Sequence, residues 1–403
     1  MSVTSAMFTG ISGLSANGEA ISVLGNNIAN VNTVGFKQGR MLFSDVLSST
    51  ITNGQVGRGV QIQSAENIFS QGAFETTDSA TDLAIQGDPF FVLSDNGQRF
   101  YTRAGAFHFN VDDVLVNPDG YHVLGYGIDQ TTGQSNGVLG DIDLTTFSSI
   151  PPKATTDITL VANLDAGATP IPPATTFDPD NPATYSASTS MTVYDSLGNA
   201  IVATHYYRKT PNPNEWEIYQ RVGTTVSPTP ATVTFNVNGA LATINGNPVP
   251  PSTLTLNGYT IDIDGTTQYA SPSIVTAQTQ NGYAAGSKVK TTIDSQGFVR
   301  VVYSNGQTQS VAQIALARFQ SPYGLTKAGN TLFEETISSG PANLVVASTP
   351  GVGKIFSNSL EQSNVDLAAQ FVKLIQAQRA FSANSKTITT ADEMTQEVLN
   401  LKR

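Results

Sequence analysis

Few groups in this chain of 403 residues are of a type that does chemistry, and their spacing does not assemble a site. The run Gly351-Val352-Gly353-Lys354 carries the Gly-Lys pair of a phosphate-binding loop. Such a loop also needs a Gly five residues earlier and a Ser or Thr next to the Lys, so that backbone N–H groups cradle phosphate and a hydroxyl reaches the metal. Ser348 and Ile355 stand there instead, so the segment reads as a turn. Asp262-Ile263-Asp264-Gly265 begins like a calcium loop but lacks the third acidic ligand and the closing Glu. His108 and His122 fall on predicted strands and could face each other across a hairpin, yet no neighbouring carboxylate completes a metal set. Cysteine is absent, which removes disulfides, thiolate nucleophiles and cysteine zinc sites. No Gly-x-Ser-x-Gly elbow occurs, and Glu334-Glu335 reads as solvated charge. With no nucleophile motif, cofactor loop or metal cluster, the expectation is a protein that is not an enzyme and holds no cofactor and no metal.

Composition narrows the class further. A net charge of −11 without clustered Lys or Arg argues against nucleic acid as a partner. No apolar run approaches the ~18 residues of a membrane-spanning helix, so membrane insertion is not expected. No Lys or Arg precedes Lys37, so the charged start of a secretory signal is missing. The chain is expected to stay in the cytoplasm or to leave by a route that cleaves nothing.

The elements show why so few charges are needed. The two ends share one pattern and the middle has another. Over residues 3 to 31, Met7, Ile11, Leu14, Ile21, Leu24 and Ile28 recur at helical spacing, and Glu19 is the only charge in the first thirty residues. A helix without a charged face is expected to be enclosed by protein on most sides. Over residues 358 to 403, Leu360, Leu367, Phe371, Leu374, Phe381 and Ile388 follow heptad spacing, with Asn364 and Gln378 as polar interruptions expected to select register. The two helices are expected to pack on each other and then on the same helices of other copies.

Between them the period changes to two. Phe90–Leu93, Arg99–Arg103, Phe107–Val111 and Tyr121–Leu124 read as strands, with turns at Ser94-Asp95-Asn96-Gly97 and Asn117-Pro118-Asp119-Gly120. A second β block runs from Lys288 to Phe319. Fifteen of the twenty prolines lie between residues 150 and 273, which marks off an inserted β domain. The predicted fold class is mainly β with α-helical termini in a nested, multidomain chain. Its expected parts are a helical polymerisation domain (1–32 and 358–403), a connector (33–70), a first β domain (71–147 and 286–357) and an inserted outer β domain (148–285).

The junction after the first helix reads Gly25-Asn26-Asn27-Ile28-Ala29-Asn30-Val31-Asn32-Thr33-Val34-Gly35-Phe36-Lys37. Asn and Gly tolerate left-handed backbone and stop a helix cleanly. As a string it resembles the N-terminal signature of the flagellar axial proteins, the rod, hook and hook-associated family, through Asn27, Asn30, Gly35, Phe36 and Lys37. Leu83-Ala84-Ile85-Gln86-Gly87-Asp88-Pro89-Phe90-Phe91-Val92 with Tyr101-Thr102-Arg103-Ala104-Gly105 looks like the family's first β block, with Pro89 where Gly is usual. Val193-Tyr194-Asp195-Ser196-Leu197-Gly198-Asn199 is similar to a motif of the inserted domain in the family's hook branch. Leu360-Glu361-Gln362-Ser363-Asn364-Val365-Asp366-Leu367, Ala377-Gln378-Arg379-Ala380-Phe381 and Asn384-Ser385-Lys386-Thr387-Ile388 resemble its C-terminal helix.

The resemblance implies a structural subunit that self-assembles into a curved, flexible tube and carries torque from motor to filament. It implies terminal helices in coaxial inner layers and the inserted domain outermost. The implied partners are copies of itself, the distal rod protein, the hook cap protein, the hook–filament junction proteins and the flagellar type III export apparatus. It implies an extracellular place on the flagellum, reached unfolded and uncleaved. Phe43-Ser44-Asp45-Val46-Leu47 is similar to the export signals of such substrates, through Phe43 and Leu47. Two other readings stay open. One is a distal rod-class protein, which the insert disfavours. The other is a surface adhesin whose Trp216, Tyr206, Tyr207 and Tyr219 form a glycan-binding platform; the plainer role for these rings is core and cross-strand packing.

Overall fold

The computed structural model describes residues 3–47 and 57–400, and within these the side chains of residues 3, 4, 47, 398 and 399 are not described. Leu47 therefore has a described backbone only, and the last three residues of the predicted C-terminal helical segment lie outside the described residues. The chain divides into two compact units. One holds residues 1–147, 290–302 and 308–403, and the other holds 148–289 and 303–307. The fold is mainly β with a helix at each end.

Helix α1 (Val3–Ala29) and helix α2 (Leu367–Asn400) pack on each other within the first unit. Asp366 starts α2, its carboxylate accepting from the backbone N–H groups of Ala368 (2.9 Å) and Ala369 (3.2 Å). That satisfies donors the first turn leaves open. On α2, Gln370, Ala377 and Ala391 are buried, and Leu374, Phe381, Asn384 and Ile388 are half-buried. These seven positions alternate steps of four and three and make one seam. On α1 the buried positions are Gly10, Gly13, Ala16 and Asn27. A Cβ on Gly10 would lie 2.8 Å from Ile388 Cγ1, so α2 sits as close as a glycine permits.

This seam differs from the expected stripe in several places. Leu360 is not helical; it lies on the strand Ser359–Glu361 paired with Phe74–Thr76, because its segment spends its hydrogen bonds on that ladder before Asp366 starts the helix. Leu367 and Phe371 are 40% and 49% exposed, because they point away from α1. Gln378 is exposed as well, so it selects no register inside this helix pair. On α1, Ile11 is 51% exposed, while Met7, Leu14, Ile21, Leu24 and Ile28 are half-buried around the small-residue contact. The expected enclosure of α1 on most sides is therefore incomplete in the single chain.

Residues 33–70, read above as a connector, carry a long antiparallel hairpin, β1 (Gly39–Leu47) and β2 (Gly57–Asn67). It lies against α1, where Ser12 Oγ accepts from Val60 N (3.2 Å). Packing on the helix organises a segment whose polar composition alone suggested a loop. Phe43 sits on β1, 44% exposed, its backbone paired with Ile62.

The β body of the first unit pairs Phe90–Asp95 with Gln98–Thr102 across a turn at Asn96 and Gly97, both with positive φ. Thr308–Arg318 lies between Phe90–Asp95 and His122–Ile128 on one side and Asn343–Val346 on the other. Phe90, Val92, Tyr101, Leu124, Ala315, Ala317 and Phe333 fill the core. His108 and His122 flank one short strand, each opposite Val116, and His122 Nδ1 lies 2.8 Å from Asp141 Oδ2.

The second unit has its own core, with Trp216, Val193, Ile218, Val233 and Leu164 all sealed. One sheet runs antiparallel through Ala187–Tyr194, Ala200–Lys209, Glu215–Val222 and Ala231–Phe235. In the other, Asp157–Asp165 pairs parallel with Tyr259–Asp262 and Thr267–Tyr269 and antiparallel with Ile274–Gln280. Trp216 is fully buried and donates its indole N–H to Gln268 (2.8 Å), and Tyr206 and Tyr207 are buried too. Tyr219 stacks on Phe177 at 4.0 Å. The four rings therefore make no shared exposed platform: Trp216, Tyr206 and Tyr207 are packed inward, and Tyr219 lies against Phe177.

Candidate functional site

Where the two ends of the chain meet the β body, a buried knot of charge holds them. Lys37, Arg103 and Glu361 are almost completely inaccessible. Glu361 Oε1 accepts from Lys37 Nζ at 2.6 Å and from Gly72 N at 2.8 Å, and its Oε2 accepts from Arg103 Nε at 3.0 Å. Lys37 donates a second bond to Ser70 O (2.7 Å), and Arg103 Nη1 donates to Pro89 O. The Arg103 guanidinium lies 5.8 Å from the Phe90 ring centre. One carboxylate thus faces two cations in a dry site. Burial holds the Lys37 ammonium below its usual pKa; Glu361 pulls it back up and the charge of Arg103 lowers it again.

Each member arrives on a different segment. Lys37 follows α1 through a sharp turn at Gly35, whose φ is +69° and whose added Cβ would lie 2.4 Å from Ala104 N. Only glycine fits both demands. Gly35 N donates to Glu361 O (2.7 Å), which fixes the chain beside the strand that carries Glu361. Arg103 directly follows the strand Gln98–Thr102.

A layer of amides extends the knot to both helices. Asn364 Oδ1 accepts from Gln38 N (2.8 Å), and its Nδ2 donates to Ile68 O (2.8 Å) and Ser70 O (3.1 Å). Asn27 closes a two-way pair with the backbone of Gly39, both bonds 2.8 Å, and reaches Gln370 Oε1 at 3.3 Å. Gln370 in turn donates to Gln38 Oε1 (2.8 Å). The end of α1, the start of β1, residues 68–72, Arg103 and the start of α2 are thereby tied at one joint.

Of the signature residues, Asn27, Gly35 and Lys37 belong to this joint. Asn30 ties its own turn, donating to Asn26 O (2.9 Å) and accepting from Thr33 Oγ1 (3.0 Å). Phe36 is half-buried and carries Lys327 Nζ 5.2 Å from its ring centre. Sequence reasoning gave no role to Arg103, Glu361, Gly72 or Gln370. A usable signal existed: charged residues are only 13% of the chain, and Lys37, Arg103 and Glu361 each stand inside one of the motifs that carry the resemblance. The joint has no free nucleophile and no open coordination position, so its chemistry is to hold. Among the described residues no group of three or more His, Asp or Glu could bind a metal ion, and no described helix is long and apolar enough to cross a membrane.

Four family models match the chain. Residues 7–37 match the flagella basal body rod protein, and 84–163 the D1 domain of flagellar hook protein FlgE/F/G. Residues 163–283 match the flagellar basal body protein FlaE D2 domain, and 357–401 the C-terminal part of flagellar basal body rod FlgEFG protein. Lys37, Arg103 and Glu361 come one each from the first, second and fourth of these segments. Among similar proteins, flagellar hook protein FlgE of Borreliella burgdorferi is 34% identical, covering 98% of this chain and 99% of that one. The hook protein FlgE of Escherichia coli K12 is 35% identical over 97% and 98%, and that of Rhizobium meliloti 34% over the full length of both. The crystal structure of Helicobacter pylori hook protein FlgE2 superposes with a TM-score of 0.53, covering 72% of this chain and 100% of that chain at 15% identity, a likeness of fold.

Proposed function

The chain belongs to the flagellar hook protein family, and from that premise we propose how its parts divide the work of a hook subunit. It is a structural subunit of the flagellar hook, one of many copies in a self-assembled helical polymer. The terminal helices form the polymerisation surface, with the first β body outside them. The tube is curved and flexible and passes torque from the rod to the filament. Its further partners are the distal rod protein at the base, the cap protein during growth, the junction proteins at the far end, and the type III export apparatus. Export delivers the chain unfolded and uncleaved to the cell exterior. Phe43 is then readable by the exporter only before β1 pairs with β2.

The observation that carries this reading is the outward face of α2. Phe371, Val372 and Ile375 are 49%, 55% and 50% exposed on a helix already packed on α1. Burying each such side chain is worth about 1.5–3 kcal/mol, which a neighbouring copy can supply and solvent cannot. Phe371→Asp in the full-length chain is expected to abolish tubes seen by electron microscopy while leaving its melting profile nearly unchanged. Tubes of normal yield from that variant would refute the assignment. A distal rod subunit is not favoured, because residues 163–283 match the D2 domain found in the inserted unit.

A further inference from the structure

Among the described residues, four large apolar side chains stand almost clear of the protein at turn tips: Leu197, Val237, Ile337 and Val111, all at least 79% exposed. Three of them have no free charge beside them. Asp195, near Leu197, accepts from its own turn. Glu334 and Glu335, near Ile337, accept from Gln98, Tyr101 and Ala342, and Val237 stands between two Asn residues. Val111 differs. Asp112 follows it, exposed, and among the described residues its carboxylate has no ion pair. Asn110 Oδ1 accepts from Asp112 N (3.0 Å) and Val114 N (2.9 Å), so the tip is shaped before anything meets it.

The same unit holds a complement to this tip. A cavity of about 350 Å3 between the end of α1 and the hairpin of residues 326–334 is lined by Phe36, Leu332, Phe333, Lys37 and Lys327, among others, and by no Asp or Glu. Lys37 is already paired with Glu361. Lys327 makes no ion pair among the described residues. Its ammonium lies 5.2 Å from the Phe36 ring centre, and burial there lowers its pKa. The carbonyls of Asn26, Asn27 and Ile28 at the end of α1 already accept from the N–H groups of Asn30 and Val31, so the helix end aims no free acceptor from these residues at the cavity. Thr331, at the hairpin turn, has a φ of +60°, a conformation a β-branched residue keeps only where its surroundings hold it, and its carbonyl accepts from Thr102 Oγ1 (3.0 Å). The cavity is thus firmly built, apolar on its floor and cationic at its rim.

We propose that the Val111-Asp112 tip of one copy seats in this cavity of a second copy, with Val111 on Phe36 and Leu332 and the Asp112 carboxylate on Lys327 Nζ. A carboxylate there gives the ammonium back the favourable interaction that burial removes. Tip and cavity are separate places on the chain, so each copy gives a tip to one neighbour and takes a tip from another. Repeated in one direction, such a contact between unlike patches builds an open helical array and does not close as a dimer. The inference rests on the hook reading given above and adds a contact made by the β body to those made by the helices.

The test uses the full-length chain and reads the critical concentration for tubes. Val111→Asp is expected to raise it roughly tenfold, the value of burying one valine at each contact. Lys327→Glu is expected to raise it several-fold, and adding Asp112→Lys to that variant to bring it back. Circular dichroism melts check that each variant is folded. An amine-acylating ester, with the product located by mass spectrometry, is expected to label Lys327 in the monomer and to spare it in tubes. The chain has no cysteine, so placed pairs give clean cross-links. Asp112→Cys with Lys327→Cys is expected to yield an oxidised ladder of multimers in tubes, and each cysteine alone to yield none. An unchanged critical concentration for Val111→Asp or Lys327→Glu, failure of the folded charge swap, equal labelling of Lys327 in monomer and tube, or absence of the ladder would each overturn the docking and leave the hook reading intact. Protection of Lys327 in the monomer by inorganic phosphate, with no further protection in tubes, would assign the cavity to a free anion and overturn it likewise. A wild-type chain that never polymerises would overturn the hook reading and this inference with it.

Discussion

Glu361→Gln is the sharpest probe of the joint, because it changes almost no shape and removes one charge. The wild-type carboxylate neutralises two buried cations and accepts three hydrogen bonds, from Lys37 Nζ, Gly72 N and Arg103 Nε. The amide keeps one acceptor and turns an NH2 toward a donor. Lys37 and Arg103 are then left in a dry site with no counter-charge, a loss of about 3–5 kcal/mol for a broken buried pair. The helices and the first β body form one unit, so the cost falls on its unfolding. For a unit of that size, 1 kcal/mol moves the midpoint by roughly 2–4 °C, so the transition is expected to drop by about 6–20 °C. The transition of the second unit, followed by the fluorescence of the sole tryptophan, Trp216, is expected to stay in place. The deficit also has a pH signature. Burial already lowers the Lys37 pKa, and losing Glu361 lowers it further. A depressed ammonium disfavours folding while it must stay charged, so stability rises as pH climbs from the folded pKa toward 10.5. The variant's deficit is therefore expected to shrink as pH rises toward 10.5. A drop under 2 °C, or a deficit that does not change with pH, would refute the view that this triad locks the ends to the body.

His205 is fully buried with Nδ1 unpartnered, and burial pushes its pKa down to about 4 from 6.5. The stability this contributes is present above pH 6.5 and lost as pH falls toward 4. The second unit is expected to weaken by about 3 kcal/mol over that window in denaturant melts followed by Trp216, and His205→Gln to flatten the slope. Gly35→Ala meets both a positive φ and the Ala104 backbone, so a loss of at least about 1–3 kcal/mol in the first unit is expected by thermal melt, with unchanged stability counting against the fit described here. In assembled tubes, the amides of Gly35, Gln38, Gly72 and Gln362 are expected to exchange hydrogen equally slowly whether the tubes are straight or curved. Faster exchange there on bending would locate flexibility inside the joint.

Much of the architecture is readable from local pattern. The Asn96-Gly97 turn, the alternating strands beside it and the amphipathic ends follow from residue type and period. What the pattern does not settle is which face of a helix meets which neighbour. Leu374, Phe381 and Ile388 lie on the inner seam of α2, whereas Leu367 and Phe371, in the same heptad series, turn outward. A helix with apolar groups on two faces offers two seams, and only the position of α1 distinguishes them. On α1, Gly10 and Gly13 lie close against Ile388 and Asn384 of α2, and Ala16 is buried; all three fit by being small and so leave no hydrophobic signature. The joint was further out of reach. Lys37 and Glu361 are 324 positions apart and Arg103 and Glu361 are 258, so no local spacing pairs them.

The distribution of polar and apolar groups bears on where a hook yields. The joint between helices and body is built from charges and directional hydrogen bonds in a dry setting. Sliding any one of its segments by a fraction of an ångström strands a buried charge or amide, which is costly. The contacts proposed between copies along the outer face of α2 are of another kind. Apolar side chains and long, exposed Arg, Lys and Glu side chains tolerate small shifts, since dispersion and screened charge change gradually with distance. A polymer that must change curvature as it turns, without its subunits coming apart, needs stiff joints within each copy and forgiving contacts between copies. The chain places its few buried charges and its exposed hydrophobics in accord with that requirement.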